Sequence, residues 1–120
     1  MLERKNRRRK YDDLLLWLAR ETANRRLYPV LPRGAELPAD AHGFRREWGG
    51  RRFVAIPVER VDRRIDESYR RWVKRKLAER GYLVVSTDGK YSRQIQLFGE
   101  NGRRRWPTFD IEKLDRMASN

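Results

Sequence analysis

Apolar spacing divides the chain into alternating helical and strand-like stretches. From Lys10 to Arg26, Tyr11, Leu14, Leu15, Leu18 and Thr22 recur at helical intervals with no Gly or Pro between them, which predicts a first helix. Leu27 to Gly43 holds Pro29, Pro32, Gly34 and Pro38 and reads as an irregular connection long enough to wrap a core or carry function. Phe44 to Ile56 then predicts a β-hairpin turning at Gly49-Gly50. Pro57 ends its second strand, because proline cannot donate to a ladder, and suits the first turn of a helix.

Val58, Val61, Ile65, Tyr69, Trp72, Val73 and Leu77 hold one helical phase as far as Arg80, compatible with two helices or with one long one. A second hairpin is predicted beyond it, with Tyr82 to Thr87 and Lys90 to Phe98 as strands and Asp88-Gly89 as a type I′ turn. That register sets Ser86 against Tyr91, Val84 against Arg93 and Tyr82 against Ile95, so Tyr82, Val84, Ile95 and Leu97 share an apolar face near its base. Gly99 to Gly102 reads as a loop, and a short helix from about Asp110 to Met117 takes Thr108 or Asp110 as its N-cap.

At 120 residues, the pattern describes one small domain (11–120) preceded by a basic arm (1–10). With no Cys, disulfides, Cys-type zinc sites and cysteine nucleophiles are excluded. The longest apolar run, Leu14 to Ala19, is too short to span a bilayer, and no secretory h-region is recognisable. The expected location is the cytoplasm, at the nucleoid if the cell is prokaryotic.

Charge narrows the class further. The chain carries 30 Lys plus Arg against 17 Asp plus Glu, a net charge of +13, and 24 of the 30 cations are Arg. Arginine presents a planar fork of donors matched to phosphate oxygens, so this composition points to nucleic acid. Arg4, Lys5, Arg7, Arg8, Arg9 and Lys10 crowd the arm, and Arg103, Arg104 and Arg105 form a second cluster. Such runs are expected to be disordered until they meet a polyanion. Opposite the apolar stripe of residues 58–80 stand Arg60, Arg63, Arg64, Arg70, Arg71, Lys74 and Arg75, with Glu67 the one acid on that arc. An ordinary solvated face mixes signs; this one does not.

The run Ile56 to Leu83, ending Leu77-Ala78-Glu79-Arg80-Gly81-Tyr82-Leu83, and the hairpin after it resemble the winged helix-turn-helix DNA-binding superfamily over about residues 53–98. Arg64-Ile65 stands where the family's turn usually carries Gly and an aliphatic residue. The resemblance implies an α+β winged-helix domain of three or four helices and two hairpins; a single central helix between hairpins is the alternative. It also implies that Gly81 caps the recognition helix, with Asp66 or Ser68 as its N-cap. Arg70, Arg71, Lys74 and Arg75 would then enter a major groove, while Arg60, Arg63 and Arg64 contact phosphates. Lys90, Tyr91 and Arg93 at the wing would reach backbone or minor groove. Arg7, Arg8 and Arg9, with Arg103, Arg104 and Arg105, would add nonspecific affinity.

Among the aromatics, Trp17 and Trp72 lie on apolar stripes and are expected in the core, whereas Trp48 and Trp106 are better placed for exposure and base stacking. Enzyme chemistry has little support. His42 is the sole histidine and sits in a Pro/Gly-rich loop; Asp40 and Asp88-Gly89-Lys90 only faintly match a metal-dependent nuclease. The expectation is therefore a non-enzymatic regulator of transcription or replication that needs no cofactor. It binds duplex DNA in preference to RNA, keeps away from membranes and pairs with a second copy of itself. The alternatives are a module for structured RNA or a ribonucleoprotein, and a toxin-like metal-free ribonuclease using Tyr91, Arg93 and His42.

Overall fold

Local chemistry accounts for the first elements of the computed structural model, which describes residues 2–95, 97 and 104–119. Helix α1 (Leu2–Thr22) begins well before Lys10, so residues 2–10 are the first half of a helix and not a separate disordered arm. Arg and Lys are good helix formers. Tertiary contacts hold the like charges in place: Arg7 lies 5.2 Å from the centre of the Trp72 ring, and Lys10 Nζ is 2.9 Å from Asp66. Thr22 ends the helix, its hydroxyl donating to the Leu18 carbonyl.

The helix stops four residues short of the expected Arg26, and residues 23–43 connect α1 to the sheet, with Pro29 to Leu31 running beside the edge of strand β1 (Phe44–Trp48). Strand β2 (Arg51–Ala55) follows through Gly49-Gly50, both at positive φ as a type I′ turn requires, and pairs in the predicted hairpin register. Buried Arg45 locks this edge to α1: Nε donates to the Tyr28 carbonyl at 3.1 Å, and its guanidinium also donates to the carbonyl of Thr22 at the helix end. Arg45→Met should therefore strand these carbonyls and lower stability by about 2 kcal/mol, read from urea unfolding.

Pro57 starts α2 (Val58–Asp62). The chain then breaks at Asp66, whose extended ψ of 137° interrupts the helical backbone before a 3₁₀ turn (Glu67–Tyr69) and α3 (Arg70–Glu79). Residues 58–79 thus form two helices, not one. Of the expected N-caps, Asp66 holds the cap position of the 3₁₀ turn that runs into α3 but makes no side-chain capping bond and pairs with Lys10; Ser68 lies inside that turn, and Tyr69 occupies the cap position of α3 itself. At the other end the expectation stands. Gly81 (φ 80°) carries the left-handed cap, with Gly81 N–H donating to the Ala78 carbonyl and Tyr82 N–H to that of Leu77, a Schellman motif.

The second predicted hairpin is re-paired. Tyr82 to Val84 lies against β5 (Thr108–Asp110), joined by Val84 N–H to the Thr108 carbonyl and Asp110 N–H to that of Tyr82. Strand β3 (Arg93–Ile95) instead pairs with β4 (Arg104–Trp106). A turn does form at Asp88-Gly89, closed by Ser86 N–H to Lys90 O at 2.9 Å, but only Gly89 has positive φ, so it is not type I′. Long-range pairing displaced the local register because it buries Leu83 and Phe109 together in the main core. Helix α4 (Ile111–Ser119) closes the fold, with Asp110 accepting the Lys113 amide at 3.2 Å as its N-cap.

Among the described residues the result is an α+β fold: four α-helices, a three-stranded antiparallel sheet ordered β1-β2-β5, and the β3-β4 pair. Val54 and Ile56 join the helices in one core, while Phe44 and Ala55 join Leu31, Ile95, Leu97 and Trp106 in a second. Among the described residues, no helix is long and apolar enough to cross a membrane.

Candidate nucleic-acid interface

Folding divides the seven-cation arc into two groups. Arg60, Arg70 and Lys74 turn inward. Arg60 lies 3.7 Å from Glu21, Lys74 Nζ is 2.6 Å from Asp62, and Arg70 Nε donates to the carbonyls of Asp62 (3.2 Å) and Ile65 (3.1 Å). Arg70 and Lys74 are four residues apart on α3, so both reach α2 and brace the turn between the helices. Both side chains, expected to read a groove, are thus engaged within the fold.

Arg63, Arg64, Arg71 and Arg75 remain exposed. Arg64 stacks over Trp17 at 4.9 Å, which keeps its plane beside α1. Arg71 and Arg75 form the outward row of α3, since Val73 and Leu77 face the core and Trp72 and Lys76 face α1. These four are the part of the expected face that can meet a polyanion.

At the expected wing, Lys90 is exposed, Tyr91 packs against the main core, and Arg93 lies 4.7 Å over the Trp48 ring. Arg105 is engaged internally, donating to the Ser92 carbonyl (2.6 Å) and to Asp88 (3.2 Å). Asp88 is held below the usual carboxylate range, mainly by the Ser86 hydroxyl it accepts. Arg104 reaches Glu59 at 3.5 Å from the strand end. Arg103 lies outside the described residues.

Trp48 is half-buried, but Trp106 is 1% exposed, edge-on to Phe44 at 5.2 Å, so the expectation of an exposed Trp106 is corrected. Three neighbouring arginines suggested a surface; strand alternation turned the indole to the core.

The proposed ribonuclease groups occupy different surroundings. His42 Nδ1 is 3.0 Å from Glu21, which also accepts the Tyr28 hydroxyl at 3.1 Å. Burial, reinforced by the Glu21 charge, pushes Tyr28 above the usual tyrosine range and keeps it a donor. Tyr91 and Arg93 instead contact the main core and Trp48 respectively. Asp40 is 3.9 Å from Arg26, and Asp88 belongs to the turn near Arg105. Among the described residues no three His, Cys, Asp or Glu side chains gather as a metal site.

Sequence reasoning missed a second basic surface. The first half of α1 packs along the later turns of α3, so Arg4, Arg7 and Arg8 face Lys76 and Arg80 across a cleft containing Tyr11 and Trp72. The missed signal was the four-residue spacing of Trp72, Lys76 and Arg80, matched by Arg4 and Arg8 on the other helix. Arg9 is exposed on the same half of α1.

No family model, curated protein or solved structure matches this chain.

Proposed function

We propose that the protein is a winged-helix DNA-binding protein, a small non-catalytic regulator of transcription or replication that docks α3 on duplex DNA. One observation carries the reading: Arg71 and Arg75 project together from a helix whose Arg70 and Lys74 are consumed in bracing it and whose Lys76 faces α1. The brace presents the outward row without side chains having to rearrange. Arg63 and Arg64, at the turn, are placed to contact flanking phosphates.

The succession of parts supports the same reading. Strand β2 leads through Pro57 into α2, a turn and α3; the chain then forms Tyr82 to Val84, leaves the sheet and returns at β5. That excursion, with Lys90 exposed beside the Asp88-Gly89 turn, serves as the wing. The B-form major groove admits a helix, whereas the A-form groove of duplex RNA is too deep and narrow for side chains to read.

Competition between duplex DNA and folded RNA at matched salt tests the proposal. Duplex DNA is expected to be retained against an equal concentration of RNA, with affinity falling linearly on a log–log salt plot. Displacement by the RNA would instead favour the RNA-binding alternative.

A further inference from the structure

The cleft between α1 and α3 has a volume of about 470 Å³, within the range of small-molecule sites. Its cations are Arg4, Arg7, Arg8, Lys76 and Arg80. Lys76 is 3.2 Å from Glu79, but Arg4, Arg7, Arg8 and Arg80 form no ion pair among the described residues. Two polar atoms at this cleft are buried without a hydrogen-bond partner: Arg7 Nε and the hydroxyl of Tyr11, a residue only 3% exposed. Such groups ordinarily find an acceptor.

Trp72 supplies the apolar wall, edge-on to Tyr11 at 6.5 Å, with Arg7 and Lys76 over its ring at 5.2 and 5.9 Å. Burial raises the Tyr11 hydroxyl above the usual tyrosine range against the opposing pull of the Arg80 guanidinium, which lies 4.8 Å over its ring, so it is a donor at neutral pH.

We propose that this cleft holds the terminal phosphorylated nucleotide of a nucleic-acid strand, with its phosphate on Arg7, Tyr11 and the rim cations and its base against Trp72. A concave ring of cations suits a dianionic phosphomonoester, whereas the convex backbone of a duplex meets protruding side chains such as Arg71 and Arg75. Arg7, in turning from the indole to the phosphate, uncovers a ring face for stacking. The strand's identity rests on the nucleic-acid function proposed above; the chemistry of the cleft rests on its own residues.

Calorimetry of the full chain with adenosine monophosphate, adenosine and inorganic phosphate, on wild type and Tyr11→Phe, tests the cleft. The substitution changes no charge and keeps the buried ring against Trp72 and Arg80, so the protein should stay folded, as its thermal midpoint will read. Adenosine monophosphate should bind wild type more tightly than either fragment and about tenfold more weakly after the substitution. A short single strand should likewise prefer a 5′-phosphate to a 5′-hydroxyl in wild type and lose that preference in Tyr11→Phe. Absent binding, equal binding of inorganic phosphate, or an unchanged affinity in a folded Tyr11→Phe protein would overturn the proposal. Wild-type retention of unphosphorylated duplex DNA reads the docking function separately.

Discussion

Charge reversal at Arg63, Arg71 and Arg75 together is expected to weaken duplex DNA binding on the order of a hundredfold or more at about 0.15 M salt while the protein stays folded. All three side chains are exposed, and none has an acidic partner among the described residues. Their replacement by glutamate thus removes attraction and adds repulsion without breaking an internal contact. The log–log salt slope should fall by about 3, one for each cation withdrawn from the DNA's counterion atmosphere. If residual affinity kept the wild-type slope, α3 would not be the docking helix. The same triple change at Arg60, Arg70 and Lys74 would be uninformative, because those cations hold α1, α2 and the turn together.

Gly43→Ala is expected to be among the most damaging small substitutions in the chain. Gly43 lies where the connection from Leu27 meets β1, its amide donating to the Leu27 carbonyl at 3.2 Å. A methyl group there would overlap the Ala55 carbonyl oxygen and approach the Tyr28 ring at 2.9 Å. The oxygen belongs to a paired strand and the ring is fully buried, so neither can yield cheaply. A loss of about 3 kcal/mol follows from such overpacking. It should lower the melting midpoint by more than about 10 °C in a circular dichroism melt. An unaltered midpoint would mean that Gly43 does not make this close approach. The residue's role is invisible in a propensity reading, since it needs no left-handed backbone and differs from any loop glycine only in what faces it.

The basic N-terminal run and the Arg103 to Arg105 cluster looked alike as charge patterns, yet the described residues in them have distinct roles. The first continues α1 because Trp72 and Asp66 receive Arg7 and Lys10. In the second, Arg104 and Arg105 form β4, with Trp106 turned to the core. A run of cations states how much charge must be solvated or paired; it does not say which groups the fold will bring to it.

The elements fixed by neighbouring residues were legible in the chain itself. These include the amphipathic part of α1, the Gly49-Gly50 hairpin, the strand end at Pro57, the Gly81 cap and the Asp110 cap, because each depends on dihedral preferences and bonds spanning a few residues. Tertiary structure alone decided that Tyr82 to Val84 pairs with β5, that the helical phase breaks at Asp66, and that Arg60, Arg70 and Lys74 turn inward while Arg71 and Arg75 do not. The physical reason is that an open strand edge, a continuous helical phase or a long cationic side chain is compatible with several near-equivalent local arrangements, and only the packing of distant segments selects among them.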